Sequence, residues 1–165
     1  MQRKQKGFSL IELLIVVAII LIIAAIAIPN LLRARIAANE ASAVGSVRTI
    51  VTAEVTYSST WGTGFAATIA NLGGANPCTA AAAAACLIDP VLAAGNKSGY
   101  KLAAPGGAAV GGIVATFAVS AVPQTVGQTG QRSFCSDESG VVRFSATGVV
   151  TAATDVACEA LPPLQ

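Results

Sequence analysis

Side chains that could carry out chemistry are few in this sequence. The chain of 165 residues contains no histidine, which removes the commonest general base and metal ligand. Ser98 and Lys101 form an S-x-x-K motif, in which a lysine could activate a serine nucleophile. The S-D-N and K-T-G motifs of such enzymes are missing, and the segment is strand-like. We therefore predict no catalytic residue and no enzyme activity.

Carboxylates near the C-terminus are candidates for a metal site. Asp137, Glu138 and Asp155 could supply oxygen ligands to calcium, but their spacing is not that of a calcium-binding loop. The sequence D-E-S-G is also typical of a turn, which explains Asp137 and Glu138 without a metal. The sequence therefore predicts neither a metal site nor a cofactor.

Four cysteines follow the apolar N-terminal segment: Cys78, Cys86, Cys135 and Cys158. They lack the C-x-x-C spacing of zinc sites, and an even number favours disulfides in an oxidising compartment. A straight helix from Cys78 to Cys86 would separate them by about 12 Å, too far for a bond. Either this alanine-rich segment loops and the two pair, or each bonds elsewhere. Nearest-neighbour spacing favours Cys78–Cys86 and Cys135–Cys158.

A single carboxylate interrupts the long apolar segment KGFSLIELLIVVAIILIIAAIAIPN. This residue is Glu12, near the start of the segment. An ionised side chain within hydrocarbon costs about 2.5–3.5 kcal/mol on insertion scales. Some interaction of Glu12 is therefore expected to offset that cost.

The apolar segment, residues 8–28, has 21 residues and is long enough to cross a bilayer as a helix. Three basic residues precede it, in agreement with the positive-inside rule: Arg3, Lys4 and Lys6. The alternative to a membrane anchor is a secretory signal peptide, with cleavage after Ala27 and release of a secreted domain. Against it, the segment exceeds the usual apolar core of about 7–15 residues and contains Glu12.

Helical periodicity continues beyond the apolar segment and favours a retained anchor. Apolar residues recur at steps of three, four or eight: Leu32, Ile36, Val44, Val47, Val51 and Val55. Charged residues fall mostly elsewhere on the helix: Arg33, Arg35, Glu40, Arg48 and Glu54. We predict one helix over residues 8–58, about 75 Å long, with a kink at Pro29. Its first half should lie in lipid or among other helices, and its second half on a domain.

Residues 59–165 are predicted to form a disulfide-bonded globular head. Asp89, Pro90 and Gly95 have the residue types of the N-cap, first residue and stop of a short helix. YKLAA and IVATFAVSAV are strand-like, and SFCS-DESG-VVRFS is typical of a hairpin. In the second strand, one face would carry Ile113, Ala115, Phe117, Val119 and Ala121. A long helix followed by an antiparallel sheet is an α+β fold.

The N-terminal segment resembles the class III signal of type IV pilins and the related pseudopilins. That family has a short basic leader ending in glycine, then phenylalanine, then glutamate as the fifth mature residue, then an apolar helix. The corresponding residues here are Gly7, Phe8 and Glu12, with Pro29 where the family commonly has a helix-weakening proline. The resemblance is close over the leader and apolar helix, and loose over the head, through GYKLAA, FAVSAVPQ and QTGQRSFCSDESGVVRF.

This resemblance implies a pilin-like fold and a defined processing step. A prepilin peptidase would cut between Gly7 and Phe8 and methylate the new amino group, so residues 1–7 would be a leader peptide. In the family, the glutamate meets the N-terminal amine of a neighbouring subunit, and that cation would offset the burial of Glu12. The family often has a glycine upstream of the proline, where the helix melts during assembly. Here that stretch is Leu, Ile, Val and Ala, so melting would centre on Pro29.

The resemblance also implies a structural role without a cofactor. We expect a subunit of a type IV pilus-like filament, stored as a single-pass protein of the inner membrane and polymerised from there. Its partners would be itself, related pilins, prepilin peptidase, the inner-membrane assembly platform and membrane lipid. The net charge of +2 gives no reason to expect nucleic acid.

Two alternatives remain open. One is a pseudopilin of a type II secretion system, which would form a short periplasmic pseudopilus instead of a cell-surface pilus. The other, from a different functional class, is a bitopic membrane-anchored binding module that never polymerises.

Overall fold

The computed structural model describes residues 8–149 and 155–164, and the chain divides into two compact units, residues 1–35 and 36–165. One helix, α1 (Leu10–Trp61), contributes 52 residues to these units. The predicted leader, residues 1–7, lies outside the described residues. A long helix followed by a small antiparallel sheet confirms the predicted α+β fold.

The described part of the first unit includes the apolar part of α1. Its described side chains are exposed, with Ala24 half-buried. Among the described helices, α1 is the one that is long and apolar enough to cross a membrane. A helix suits that environment because it satisfies every interior backbone polar group within one segment.

The second unit buries one face of α1. The buried helix residues are Glu40, Ala43, Ser46, Val47, Ile50, Ala53, Glu54 and Tyr57. Most recur at alternating steps of three and four, which aligns them along the helix. The predicted apolar stripe is partly wrong, because Val47 is buried but Val55 is 54% exposed. The buried stripe includes two glutamates, since both carboxylates find hydrogen-bond donors in the head.

Seven strands follow the helix within residues 62–149 and 155–164. They are β1 (Asn96–Lys97), β2 (Tyr100–Ala103), β3 (Ala109–Val110), β4 (Ile113–Val114), β5 (Ala118–Pro123), β6 (Ser133–Asp137) and β7 (Arg143–Ser145). Five of them form an antiparallel sheet in the order β1-β2-β5-β6-β7. The largest buried side chains of the core include Tyr100, Phe117 and Phe134. The strand predicted at YKLAA and the hairpin predicted around DESG are confirmed.

A separate two-stranded sheet, β3 with β4, forms what we call the glycine hairpin (residues 109–114). Gly111 and Gly112 connect its strands with φ of +62° and +83°, the left-handed conformation that a two-residue type I′ turn needs. The single strand predicted at IVATFAVSAV is wrong, because β4 and β5 belong to different sheets. Ile113 is therefore 53% exposed, whereas Phe117 is buried.

Short helices complete the second unit: α2 (Ile69–Leu72), α3 (Pro90–Ala93) and α4 (Asp155–Glu159). Asp89 caps α3 as predicted, since its Oδ1 accepts a hydrogen bond from the Leu92 N–H at 2.9 Å. Gly95, with φ of +73°, follows the helix as its predicted stop. Sequence pattern and structure thus agree where capping chemistry sets the boundary.

Candidate processing and assembly site

The residues around the predicted cleavage site lie at the start of α1. Phe8 and Ser9 precede its first residue, Leu10, and the Phe8 side chain is 76% exposed. Gly7, on the other side of the predicted bond, lies outside the described residues. Phe8, on the carboxyl side of that bond, is therefore accessible to a second protein.

Glu12 lies in the first turn of α1, about one turn after Phe8. The Ser9 backbone N–H donates to Glu12 Oε2 at 3.4 Å, so the carboxylate reaches back over the unpaired amides that begin the helix. The side chain is exposed, and no basic side chain of residues 8–149 or 155–164 forms an ion pair with it. Its carboxylate is available to a positive charge from another molecule.

Pro29 lies inside α1, and the helix continues on both sides of it. Proline lacks a backbone N–H, so one helical hydrogen bond is missing at this point. Glu12 and Pro29 are separated by about 25 Å of helix at 1.5 Å per residue. The structure does not bring them together, and any role of Pro29 is separate from that of the Glu12 carboxylate.

A multidentate contact joins α1 to the residues that precede β6. Glu40 Oε1 accepts hydrogen bonds from the backbone N–H groups of Gln131 and Arg132, each at 3.0 Å. Glu40 Oε2 accepts from Arg132 Nε at 2.9 Å and lies 2.8 Å from Nη2. Burial raises the pKa of Glu40, but the hydrogen bonds and charge of these partners outweigh it, and the pKa is lowered overall. This carboxylate holds the sheet on the helix.

Beside this contact lies an open cavity of about 410 Å³, which we call the α1 groove. Its lining comprises Ala37, Glu40, Ala41, Val44, Gly45, Arg48, Arg132, Phe134 and Leu164. The Arg132 guanidinium carbon lies 5.5 Å and 5.6 Å from the ring centroids of Phe134 and Phe144, within cation–π distance. The groove thus combines small apolar side chains with two arginines.

Glu54 is the second carboxylate on the buried face of α1. The Ala66 backbone N–H donates to its Oε2 at 2.8 Å, while Oε1 has no hydrogen-bond partner among the described residues. The residue is 0% exposed. Burial raises the pKa of Glu54 to about 7, although the hydrogen bond from Ala66 lowers it. This side chain anchors the loop that follows α1.

The structure contains two disulfides, Cys78–Cys86 and Cys135–Cys158, the pairs that nearest-neighbour spacing favours. The segment between Cys78 and Cys86 is not a helix, and their Cα atoms lie 6.1 Å apart. This confirms the predicted loop and the predicted pairing there. The second bond joins β6 to α4 and brings the C-terminal tail (residues 161–164) back to the sheet.

The C-terminal tail covers the outer edge of β7. The Phe144 N–H donates to Pro162 O at 3.1 Å, and the Leu164 N–H donates to Val142 O at 2.8 Å. Pro162 and Pro163 have no N–H to offer a further strand, so this edge is closed to strand addition. Sequence analysis did not predict this pairing.

Of the carboxylates considered for calcium, Asp137 and Glu138 have described side chains, whereas the side chain of Asp155 lies outside the described part of the structure. Asp137 is buried, and its Oδ1 accepts hydrogen bonds from the backbone N–H and hydroxyl of Ser139, as in a turn. Glu138 is exposed. No cluster of three metal-binding side chains occurs within the parts of the chain that the structure describes.

Sequence analysis missed Glu40 and Glu54 as structural carboxylates. Their signal was the spacing of 40, 43, 47, 50, 54 and 57, which places both acids in line with Val47, Ile50 and Tyr57. An acidic residue within an apolar helical stripe predicts a donor on the opposing element, since a buried charge must be hydrogen-bonded. Their donors, on Ala66, Gln131 and Arg132, are distant in sequence and could not be named from it.

Comparison with known proteins adds one family match. Residues 2–28 match the family model described as "Prokaryotic N-terminal methylation motif". The matched range contains Gly7, Phe8 and Glu12.

A curated relative matches part of the chain. The chain is 68% identical over 38 residues to the "Type IV wide pilus major component PilA4" of Thermus thermophilus. The aligned part covers 23% of this chain and 29% of that protein. No solved structure matches this chain.

Proposed function

We propose that the protein is a structural subunit of a type IV pilus-like filament. The match of residues 2–28 to the prokaryotic N-terminal methylation motif and the 68% identity over 38 residues with a type IV pilus component support this proposal. The observation that carries the proposal is Glu12, an exposed carboxylate in the first turn of α1, followed directly by the uninterrupted apolar residues 13–28. The role is structural rather than catalytic.

Processing is the first step of this function. A prepilin peptidase cleaves between Gly7 and Phe8, removes residues 1–7 and methylates the amino group of Phe8. The exposed position of Phe8 before the first helical turn supports this step, because a protease needs extended, accessible chain. Methylation keeps the amine basic, with an ordinary pKa near 8, so it remains cationic at neutral pH.

Storage in the inner membrane is the second step. Residues 8–28 span the bilayer as part of α1, with lipid as their partner, and residues 59–165 form the head on the outer side. The two disulfides support an oxidising compartment for the head. Cations at positions 3, 4 and 6 favour a cytoplasmic leader.

Assembly uses Glu12. In the filament, the Glu12 carboxylate pairs with the amine of Phe8 of a neighbouring subunit, itself or a related pilin, delivered by the inner-membrane assembly platform. Breaking one side of a buried ion pair costs about 3–5 kcal/mol, because the remaining charge stays buried without a partner. That cost favours one axial register between neighbouring helices over the others.

A cell-surface pilus is the form of filament that we favour over a periplasmic pseudopilus. The motif itself is compatible with both, as well as with a membrane-anchored module. The relative with 68% identity over 38 residues is described as a wide pilus major component, which supports a long filament.

The experiment that tests the proposal compares Glu12→Ala with wild type as the sole copy in cells. Filament yield in the sheared fraction should fall strongly, while the membrane fraction and cleavage after Gly7 should persist. Insertion should not suffer, because removal of the carboxylate favours it by about 2.5–3.5 kcal/mol. Normal filament yield would show that Glu12 has no pairing role, and an absence of wild-type filaments would rule out the pilus.

A further inference from the structure

We propose that the glycine hairpin of one copy docks in the α1 groove of the next copy along the filament. The inference rests on the proposed function and names the head-to-head contact within that filament. It follows from an exposed apolar tip at one end of the second unit and an apolar groove at the other.

The glycine hairpin projects an uncharged apolar surface. Val110 is 79% exposed and Ile113 is 53% exposed. Residues 104–116 contain no charged side chain. Clustered exposed apolar residues mark interaction surfaces. A partner that covers Val110 and Ile113 would account for this exposed apolar pair.

The hairpin is fixed near the C-terminal end of α1. The Phe65 N–H donates to Val114 O at 2.9 Å, and the Val114 N–H donates to Thr63 O at 3.0 Å. Gly64 forms a bridge with Val114 between these bonds. Because the loop that holds β4 follows directly on Trp61, the hairpin lies at the end of the second unit where the helix stops.

The α1 groove begins near the opposite end of the same unit. Its lining starts at Ala37, about 36 Å of helix before Trp61. Ala37, Ala41 and Gly45 leave room because their side chains are small, and Val44 adds apolar contact area. A hairpin and a groove at the two ends of one unit cannot meet within one copy.

The chemistry of the two surfaces is complementary. The turn residues Gly111 and Gly112 carry no side chains, so their backbone carbonyl oxygens are open to a donor. Arg48 lines the groove, is exposed, and forms no ion pair with any described residue. Arg132 is already held by Glu40, so Arg48 is the donor that a docked turn would use. The side chains of Val110 and Ile113 would then cover the small apolar residues of the groove.

A second copy is the occupant because every copy supplies both surfaces. The two patches differ, so the contact is heterologous, and repetition of a heterologous contact that does not close into a ring generates an open helical filament. Such a contact between heads would add to the contact at Glu12 without involving the same residues.

The test uses the full chain, as the sole copy in cells, with Ile113→Lys as the perturbation. A lysine at this position meets Arg48 in an apolar contact, and filament yield should fall at least about tenfold. Arg48→Glu in the same chain converts the repulsion into attraction and should restore most of the yield. Val91→Lys is the matched control, since Val91 is 59% exposed and lies outside hairpin and groove, and should leave the yield unchanged.

Photo-crosslinking supplies an independent readout. A benzoyl-phenylalanine at position 110 in sheared filaments should crosslink to residues 37–48 of another copy. Crosslinks to a different protein or to another segment would overturn the inference. Normal filament yield with Ile113→Lys would also overturn the proposed contact between hairpin and groove, but it would leave the proposed function intact. An absence of wild-type filaments would contradict both the contact and the proposed function.

Discussion

Replacement of Glu54 by glutamine should change how the stability of the second unit depends on pH. Glu54 is 0% exposed, and its Oε2 accepts a hydrogen bond from the Ala66 N–H at 2.8 Å. Glutamine has nearly the same shape and keeps an oxygen for Ala66, but it carries no charge. The variant therefore separates the effect of ionisation from the effect of the hydrogen bond.

The magnitude follows from the pKa of Glu54, which burial raises from an ordinary value of 4.5 to about 7. Between these values the folded state binds more protons than the unfolded state, so stability falls as pH rises. The loss is complete above the folded pKa. Each pKa unit corresponds to about 1.4 kcal/mol, which gives a loss of about 3 kcal/mol across the interval.

The assay is denaturant unfolding of the full chain in detergent micelles, at about pH 5 and about pH 8. Trp61 is the one tryptophan of the chain and stacks on Tyr57 with ring centroids 4.9 Å apart, so its fluorescence reports on this part of the unit. Wild type should lose about 3 kcal/mol between the two conditions relative to Glu54→Gln. The two proteins should be similar near pH 5.

A second variant completes the comparison. Glu54→Ala removes the acceptor and leaves the Ala66 N–H without its partner, so it should destabilise the unit by about 1–3 kcal/mol, most clearly at about pH 5 where Glu54 is protonated. Equal pH dependence in wild type and Glu54→Gln would refute the reasoning, because it would mean that Glu54 is hydrated and does not face the loop around Ala66.

Two further substitutions test other contacts of the second unit by the same unfolding measurement. Glu40→Gln should destabilise the second unit by about 1–3 kcal/mol, since it weakens a charged contact with Arg132 that is partly screened by solvent. Because the Glu40 pKa is lowered, this contribution to stability exists above about pH 4.5 and is lost as pH falls below it. An unchanged denaturant midpoint would contradict the contact. Gly130→Ala would press a Cβ against Oη of the buried Tyr100 and should cost about 1–3 kcal/mol. The control Gly45→Ala meets nothing within 4 Å and should stabilise the helix by about 0.5–1 kcal/mol. Equal effects of the two substitutions would contradict the packing around Tyr100.

Local sequence rules predicted the elements whose boundaries depend on local chemistry. The cap at Asp89, the turn around Gly140 and the long helix follow from residue types within a few positions of each boundary. The charge at Glu12 in an apolar segment also identified the candidate site, because its cost is independent of the fold.

Contacts between segments that are distant in sequence could not be predicted from those local rules. The segment IVATFAVSAV was predicted as one strand, yet Ile113 and Val119 belong to different sheets, and the loop around Gly64 pairs with Val114. The burial of Glu54 likewise depends on an N–H donated from that loop. A pattern of period two or 3.6 identifies a face, but it does not identify the segment that covers it.

The intact mass and N-terminal sequence of the chain recovered from sheared filaments test the central claim most directly. The account predicts that wild-type filaments contain a chain that begins at Phe8 and carries one methyl group on its N-terminal amine. A mature chain that begins at Ile28 or Pro29 would indicate an ordinary signal peptide. It would contradict the account, because Glu12 and the apolar part of α1 would then be absent from the assembled protein.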